Sequence, residues 1–261
     1  MIREAAVAGT FYPSEKKGLE KQVNEFLKGK PTTLKGKLKA LIVPHAGYIY
    51  SGSVTGKGFQ LVQQLDQKTD WEILLLGPSH TIAFEGASLS TVEQWKTPLG
   101  IVNVSKRANQ FLSPLVHGFE TAHWQEHCLE AQIPFLQQTL SRFSIIPMVA
   151  GIVDANVLAI ELENKLQENT LFVASSDLSH YLPYEKAVEK DQKTIQAILG
   201  MDAEKMEKEG DACGKTPILV LMHLAQQKGW KPFLLEYKNS GDTAGDKKRV
   251  VGYAAIAFME P

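Results

Sequence analysis

The strongest constraint on the fold is a continuous apolar run that ends in a histidine and recurs 35 residues later. The first run, "KALIVPH", ends at His45, and the second, "WEILLLGPSH", ends at His80. Uninterrupted apolar runs of this length are typical of strands buried on both faces of a sheet. The stretch between them, "SVTGKGFQLVQQLDQ", reads as a helix. Strand, helix and strand in this order predict a βαβ unit with two parallel strands.

The same pattern returns in the second half of the chain. "FSIIPMVAG" and "TLFVASSDLSHY" read as strands, with the helical stretch "DANVLAIELENKLQ" between them. Two more helical stretches, "PYEKAVEKDQKTIQAILG" and "CGKTPILVLMHLAQQKG", precede two final strands, "KPFLLEYKNS" and "VVGYAAIAFME". We predict that these final strands are antiparallel neighbours. The whole pattern predicts a three-layer α/β/α fold with a mainly parallel central sheet, in a single domain over residues 1–261.

Composition narrows the range of partners. The 261 residues include 28 Lys and Arg and 29 Asp and Glu, a net charge of −1. Nucleic-acid binders usually carry a basic excess, so no nucleic-acid partner is expected. No apolar run approaches the length of about 20 residues that a membrane span needs, and the first residues do not resemble a secretory signal. With only two cysteines, Cys128 and Cys213, we expect a cytoplasmic protein with reduced thiols.

Two histidines follow strands of the first βαβ unit. In open α/β sheets, ligands bind outside the carboxyl ends of the strands, and neighbouring strands lie about 5 Å apart. His45 and His80 are therefore predicted to reach one shared atom. A single histidine in this position is more often a turn residue than a ligand, but two at matching strand ends favour a metal site.

Further polar residues are predicted at the same edge of the sheet. Asp177 and His180 lie just beyond a later strand, and "HWQEHCLEAQIPF" adds Glu126 and His127. Each pair has a simpler interpretation. Asp177, with the two serines before it, suits the N-cap of the next helix, and Glu126 with His127 suits a solvated helix start.

Cys213 directly precedes a predicted helix that has Pro217 in its first turn. The helix dipole and the free backbone N–H groups at such a position favour a thiolate, which is a strong metal ligand. The alternative is that Cys213 is a small buried hydrophobic residue, as free cysteines often are. Cys128 is predicted to be structural.

Six motifs, in this order along nearly the whole chain, resemble the Memo family, labelled AmmeMemoRadiSam system protein B in prokaryotes. They are "AGTFYP" (8–13), "PHAGYIYSG" (44–52), "GPSH" (77–80), "EHCLEAQIPFL" (126–136), "SSDLSHY" (175–181) and "CGKTP" (213–217). The combination is specific, although no single motif is. The resemblance implies a fold shared with class III extradiol dioxygenases, which are non-haem iron enzymes.

The resemblance also implies roles for individual residues. The metal ligands would be His45, His80 and Cys213. His180 resembles the acid/base histidine of the dioxygenases, with Asp177 orienting it or supplying charge, and His127 resembles their second pocket histidine. The chain departs from many relatives at two positions next to these motifs, where it has Cys128 and Thr81. Neither position is a proposed ligand.

The proposed third ligand differs in chemistry from that of the extradiol enzymes. Those enzymes hold Fe(II) with two histidines and a carboxylate, whereas sulfur favours softer ions. We therefore expect Fe(II), with copper and zinc as alternatives; if a carboxylate is required, Glu126 and Asp177 are the nearest. Ring-opening activity does not follow from the fold, because function belongs to the site.

Three functions stay open from the sequence. The first is a metal-dependent, dioxygenase-like oxidoreductase that acts on a small-molecule or peptide substrate. The second is a non-catalytic adaptor that binds a metal or a peptide, and a metal hydrolase ranks last because the chain lacks a carboxylate-rich cluster. The family label further implies a pathway partner of the radical-SAM class.

Overall fold

A computed structural model describes residues 1–30 and 32–261, and the described residues form twelve strands and nine α-helices. The strands are β1 (Ile2–Arg3), β2 (Lys37–Val43), β3 (Trp71–Pro78), β4 (Ala87–Leu89), β5 (Gln94–Thr97), β6 (Gly100–Asn103), β7 (Val116–His117), β8 (Phe143–Ala150), β9 (Thr170–Ser175), β10 (His180–Leu182), β11 (Lys231–Asn239) and β12 (Val250–Glu260). The helices are α1 (Lys16–Phe26), α2 (Tyr48–Val62), α3 (Thr121–Trp124), α4 (Ile133–Thr139), α5 (Ala155–Glu163), α6 (Tyr184–Leu199), α7 (Ala203–Glu209), α8 (Lys215–Lys228) and α9 (Ser240–Thr243).

The large sheet is parallel at its centre and antiparallel toward its sides. The four central strands, in the order β2, β9, β3 and β8, all run in the same direction. Strand β12 joins β2 in antiparallel orientation, and β10 and β11 each pair with β12, also in antiparallel orientation. On the other side, β4 joins β8 in antiparallel orientation and β7 follows it. The predicted α/β class and the antiparallel final pair, β11 and β12, are confirmed.

Strand order differs from the simplest form of the predicted βαβ unit. Strands β2 and β3 are parallel, as predicted, but β9 lies between them and pairs with both. The carboxyl ends of three adjacent strands therefore meet at one edge of the sheet. This edge carries the segments that follow Val43, Ser175 and Pro78, which are the segments that contain the motif histidines.

Side chains alternate between two hydrophobic layers, as the period of two in a strand requires. In β2, Leu41 packs in the core beneath α1, α2 and α4, whereas Ile42 packs in the core beneath α5, α6, α7 and α8. Phe59 of α2 and Ile218 of α8 are fully buried in these two cores. Burying such a side chain stabilises the fold by about 1.5–3 kcal/mol. The arrangement is the predicted three layers.

Hydrogen bonds anchor the N-terminal segment to Glu130, which lies in the short 3-10 helix directly before α4. This buried carboxylate accepts hydrogen bonds from Arg3 Nη1 (2.7 Å) and the Tyr12 hydroxyl (2.5 Å), and from the backbone N–H groups of Ala6 (2.8 Å) and Val7 (3.0 Å). Charge-assisted hydrogen bonds of this kind are the strong ones. The segment that carries the "AGTFYP" motif is therefore fixed in place. Among the helices of the described residues, none is both long and apolar enough to span a bilayer.

Candidate metal centre

Three imidazole rings meet at the carboxyl edge of the sheet. The ring centroid of His45 lies 5.2 Å from that of His80 and 5.3 Å from that of His127, and the centroids of His80 and His127 are 4.6 Å apart. Each ring offers a nitrogen within 4.8 Å of a nitrogen of each of the others. The structure thus brings together the two histidines predicted as metal ligands and adds the predicted pocket histidine to them.

The hydrogen-bond network around His45 assigns its tautomer. The Ser175 hydroxyl donates to the carbonyl oxygen of Cys128 (2.7 Å) and accepts from Gln132 Nε2 (2.8 Å). Its one hydrogen is used, so at 3.0 Å from His45 Nδ1 it accepts, and Nδ1 carries the proton. Burial lowers the pKa of His45 well below its usual 6.5. The ring is therefore neutral, and its Nε2 lone pair is available to a cation.

Glu126 lies behind His80 and orients it. Its Oε1 accepts from His80 Nδ1 (2.9 Å) and its Oε2 accepts from the His80 backbone N–H (2.6 Å). The backbone N–H groups of His127 (2.9 Å) and Cys128 (3.1 Å) also donate to Oε1. Burial raises the pKa of Glu126, but the hydrogen bonds that it accepts from His80 and from the backbone N–H of Cys128 outweigh this effect and lower the pKa to about 2.

Metal-binding histidines commonly donate their second ring nitrogen to a carboxylate, which leaves the first nitrogen for the ion. Glu126 is only 1% exposed and supports His80 in this way, so its place in the structure gives it a positioning role. The solvated helix start considered from the sequence is not observed for this residue.

Cys213 lies beside His45. Its Sγ is 3.2 Å from His45 Nε2 and accepts a hydrogen bond from the Asp177 backbone N–H (3.3 Å). Gly214 permits this approach, because a Cβ there would lie 2.6 Å from Ser176 Cβ. The backbone N–H of Gly214 donates to Ser176 Oγ (2.9 Å), which fixes the start of α8 against the end of β9.

The predicted thiolate is not the form that the chain alone favours. Burial, and then the negative charge of Asp177, raise the pKa of Cys213 to about 12, and the N–H and hydroxyl groups around it only partly offset this. The desolvation cost thus exceeds the effect of the helix terminus. A thiol that coordinates a cation is deprotonated, so a bound metal would favour the thiolate form of Cys213 over the thiol.

Asp177 holds the end of β2 rather than the start of the next helix. Its Oδ1 accepts from the backbone N–H groups of His45 (2.8 Å) and Ala46 (3.3 Å). Helix α6 begins only at Tyr184, so the capping interpretation is wrong. Burial raises the pKa of Asp177 to about 6, against the effect of those N–H donors and of His180.

A cleft of about 950 Å³ opens onto the three imidazoles. His45, His80, His127 and Cys213 lie in its wall, together with Asp177 and His180, so the predicted site residues except Glu126 share one cavity. Further along the cleft are Tyr50, Tyr181 and Arg249. Cys128 is fully buried and donates its thiol hydrogen to the carbonyl oxygen of Pro78 (3.2 Å), which agrees with the structural role predicted for it.

Sequence reasoning missed several supporting residues. Ser175 and Gln132 set the tautomer of His45, and Phe11 places its ring 4.8 Å from that of His127. Asp191 of α6 is fully buried and accepts from the Ser179 backbone N–H (2.9 Å), which holds the segment before His180. Ser175 and Phe11 lie inside motifs and could have been flagged, whereas Asp191 carries no signal in the sequence.

An α/β sheet with histidines converging at its carboxyl edge, one of them supported by a buried carboxylate, defines a class of protein with a candidate transition-metal site. The family model "Memo-like protein" matches residues 3–257. The chain belongs to the Memo family.

Relatives at the level of sequence support this assignment. A MEMO1 family protein of Methanosarcina acetivorans is 38% identical over 269 residues, which cover 98% of each chain. One of Aquifex aeolicus is 37% identical over 272 residues and covers 99% of each. A crystal structure of an uncharacterised Escherichia coli K12 protein is similar in fold, with a TM-score of 0.57 and 12% identity over 85% of this chain and 99% of that one.

Proposed function

We propose that this chain binds one transition-metal ion between His45 and His80 and is a metal-dependent oxidoreductase that acts on a small molecule in the cleft. The observation that carries the proposal is the state of the two rings. Each donates from Nδ1 to a buried oxygen, Ser175 Oγ or Glu126 Oε1, which leaves Nε2 as the ring atom that would face an ion. Histidines held in this way are typical of metal sites.

Two residues compete to be the third ligand. Cys213 Sγ lies 3.2 Å from His45 Nε2, and two atoms that bind one ion at about 2.0–2.3 Å are themselves about 3–4 Å apart. His127 has a nitrogen within 4.8 Å of both other rings, whereas Cys213 does not form such a group with His45 and His80, so its Sγ would have to move toward His80 to share an ion with both. We propose His45, His80 and Cys213 as the ligands of Fe(II), with copper and zinc as alternatives that a sulfur ligand would favour.

The remaining residues of the cleft would handle the substrate. When bound, the metal would supply Lewis acidity and redox chemistry to an oxygen-bearing substrate. His180 lies in the wall of the cleft and would accept or deliver a proton at a substrate hydroxyl. Asp177, whose pKa is raised to about 6, would orient His180 or supply its countercharge. His127, which also lies in the wall of the cleft, would contact the substrate.

Elemental analysis of anaerobically loaded protein tests the metal site. His45→Ala and His80→Ala should each abolish stoichiometric binding, because each removes one of two fixed imidazole ligands. His117→Ala is the matched control, since His117 is an exposed histidine on β7, and it should bind metal as the wild type does. Full occupancy in both site variants would refute the proposal.

A second candidate function is a non-catalytic adaptor that binds a metal or a peptide. The observations that favour it are the volume of the cleft, about 950 Å³, and the exposure of two tyrosines in its wall, 62% for Tyr181 and 39% for Tyr50. Oxygen uptake with a panel of catechols, followed after anaerobic loading with Fe(II), separates the two functions. Turnover supports the oxidoreductase, whereas stoichiometric metal binding without turnover under any metal favours the adaptor.

Two further expectations remain predictions. The cytoplasmic location follows from composition and cysteine content, and the pathway partner of the radical-SAM class follows from the family resemblance. Neither is needed for the metal proposal.

A further inference from the structure

Arg249 stands out among the four arginines of the chain. The other three, Arg3, Arg107 and Arg142, each form an ion pair with a carboxylate. Arg249 lies in the wall of the cleft, and within the residues that the structure describes it forms no ion pair. Its guanidinium lies over the ring of Tyr181, 4.9 Å from the ring centroid. A cation of this kind faces the cavity with its hydrogen-bond donors still available.

Tyr181 is held in an unusual backbone conformation. Its φ angle is 59°, in the left-handed region that residues with a side chain rarely adopt, and the pairing of β10 with β12 shifts register around it. Such a conformation is unfavourable for a residue with a side chain and persists where the surrounding structure holds it. Its ring is 62% exposed in the cleft wall, so the conformation keeps an aromatic surface beside Arg249.

Arg249 is the only lysine or arginine among the described residues that line the cleft. Asp246 also lines the cleft, but it accepts a hydrogen bond from the Lys248 backbone N–H (3.0 Å) within its own turn. The Lys247 ammonium packs over the ring of Tyr184, 4.4 Å from the centroid, and is not part of the cleft wall. Tyr50 and Tyr253 add further aromatic side chains to the wall.

We propose that Arg249, with Tyr181, binds the carboxylate of a small aromatic substrate whose other end reaches the histidines. Guanidinium presents a planar pair of donors that matches a carboxylate, and the aromatic side chains suit a flat ring. This names a substrate class for the site and rests on the proposed function.

Two matched pairs of probes test the proposal by calorimetric titration. The metal-free protein is titrated with benzoate and with benzamide, and the metal-loaded protein with 3,4-dihydroxybenzoate and with 4-methylcatechol. Each pair differs in the anionic group but not in the ring. Wild type should prefer the carboxylate by about 10-fold, the size expected for one charge-assisted pair at a partly exposed site.

Arg249→Gln should abolish this preference, and Lys248→Gln, which removes one positive charge from the same loop but lies outside the cleft wall, should retain it. Equal affinity of wild type for both members of each pair, or a preference that survives in Arg249→Gln, would overturn the proposal. The metal content of the same samples keeps the two proposals distinct. A benzoate preference without metal binding would support the role of Arg249 and contradict the metal site. Normal metal binding without any preference for the carboxylate would support the metal site and contradict the role of Arg249.

Discussion

Replacing Glu126 with glutamine removes the charge behind His80 while keeping the size of the side chain. Oε1 accepts three hydrogen bonds and Oε2 accepts one, from the His80 backbone N–H at 2.6 Å. The best placement of the amide puts its oxygen at Oε1, so its NH₂ group faces the N–H of His80. At least one buried donor then loses its acceptor, which costs about 1–3 kcal/mol.

Two measurements follow from this geometry. The melting temperature of Glu126→Gln, without metal, should fall by about 4–8 °C, because about 2 kcal/mol corresponds to this shift in a chain of this size. Metal affinity, measured by competition with a chelator, should fall by about 10- to 100-fold, as is usual when the partner of a ligand histidine is lost.

Glu120→Gln is the matched control for this experiment. Glu120 also accepts a backbone N–H, that of Thr91 (2.8 Å), but lies away from the three imidazoles. It should lose some stability and bind metal normally. If Glu126→Gln melts at a lower temperature but binds metal with wild-type affinity, the carboxylate does not position His80 for an ion, and the reasoning about the site fails.

Two other substitutions probe the supports of the site. Gly214→Ala should push Cys213 away from His45, because the new Cβ would meet Ser176. Metal binding in the chelator assay should weaken by about 10-fold. Gly18→Ala is the control, since its Cβ would meet only Pro13 at 3.4 Å, and it should leave metal binding unchanged. Burial raises the pKa of Asp191 above 3.8, so the folded state holds that proton more tightly than the unfolded state, and the destabilising contribution of the ionised Asp191 should shrink as the pH falls from neutral toward 4. Asp191→Asn should therefore melt higher than wild type at neutral pH and lose that advantage near pH 4; a pH-independent difference would contradict this account.

The sequence predicts the elements that have long, regular apolar patterns. Strands β2, β3, β8, β9, β11 and β12 and helices α2, α5, α6 and α8 all lie where the patterns predict them. Strands β4 to β7 were not predicted, because each has only two to four residues and shows no clear alternation. The place of β9 between β2 and β3 was also missed, since strand order is decided by tertiary packing and local pattern carries no information about it.

The candidate site shows the same division. The expectation that ligands bind at the carboxyl ends of the strands correctly brings His45 and His80 together. Their strands are not neighbours, but only one strand, β9, separates them, and the two rings meet beyond its end. The raised pKa of Cys213 in the absence of metal could not be predicted from the sequence, because burial is a property of the packed structure. The positioning role of Glu126 could not be predicted from the sequence, since it depends on a contact across 46 residues.

An anomalous difference map from crystals of protein loaded with Fe(II) under anaerobic conditions tests the metal site most directly. We expect one peak at the iron edge, about 2.0–2.3 Å from Nε2 of both His45 and His80 and from Sγ of Cys213. A map with no peak between the two histidines, or with the ion bound elsewhere on the chain, would contradict this expectation.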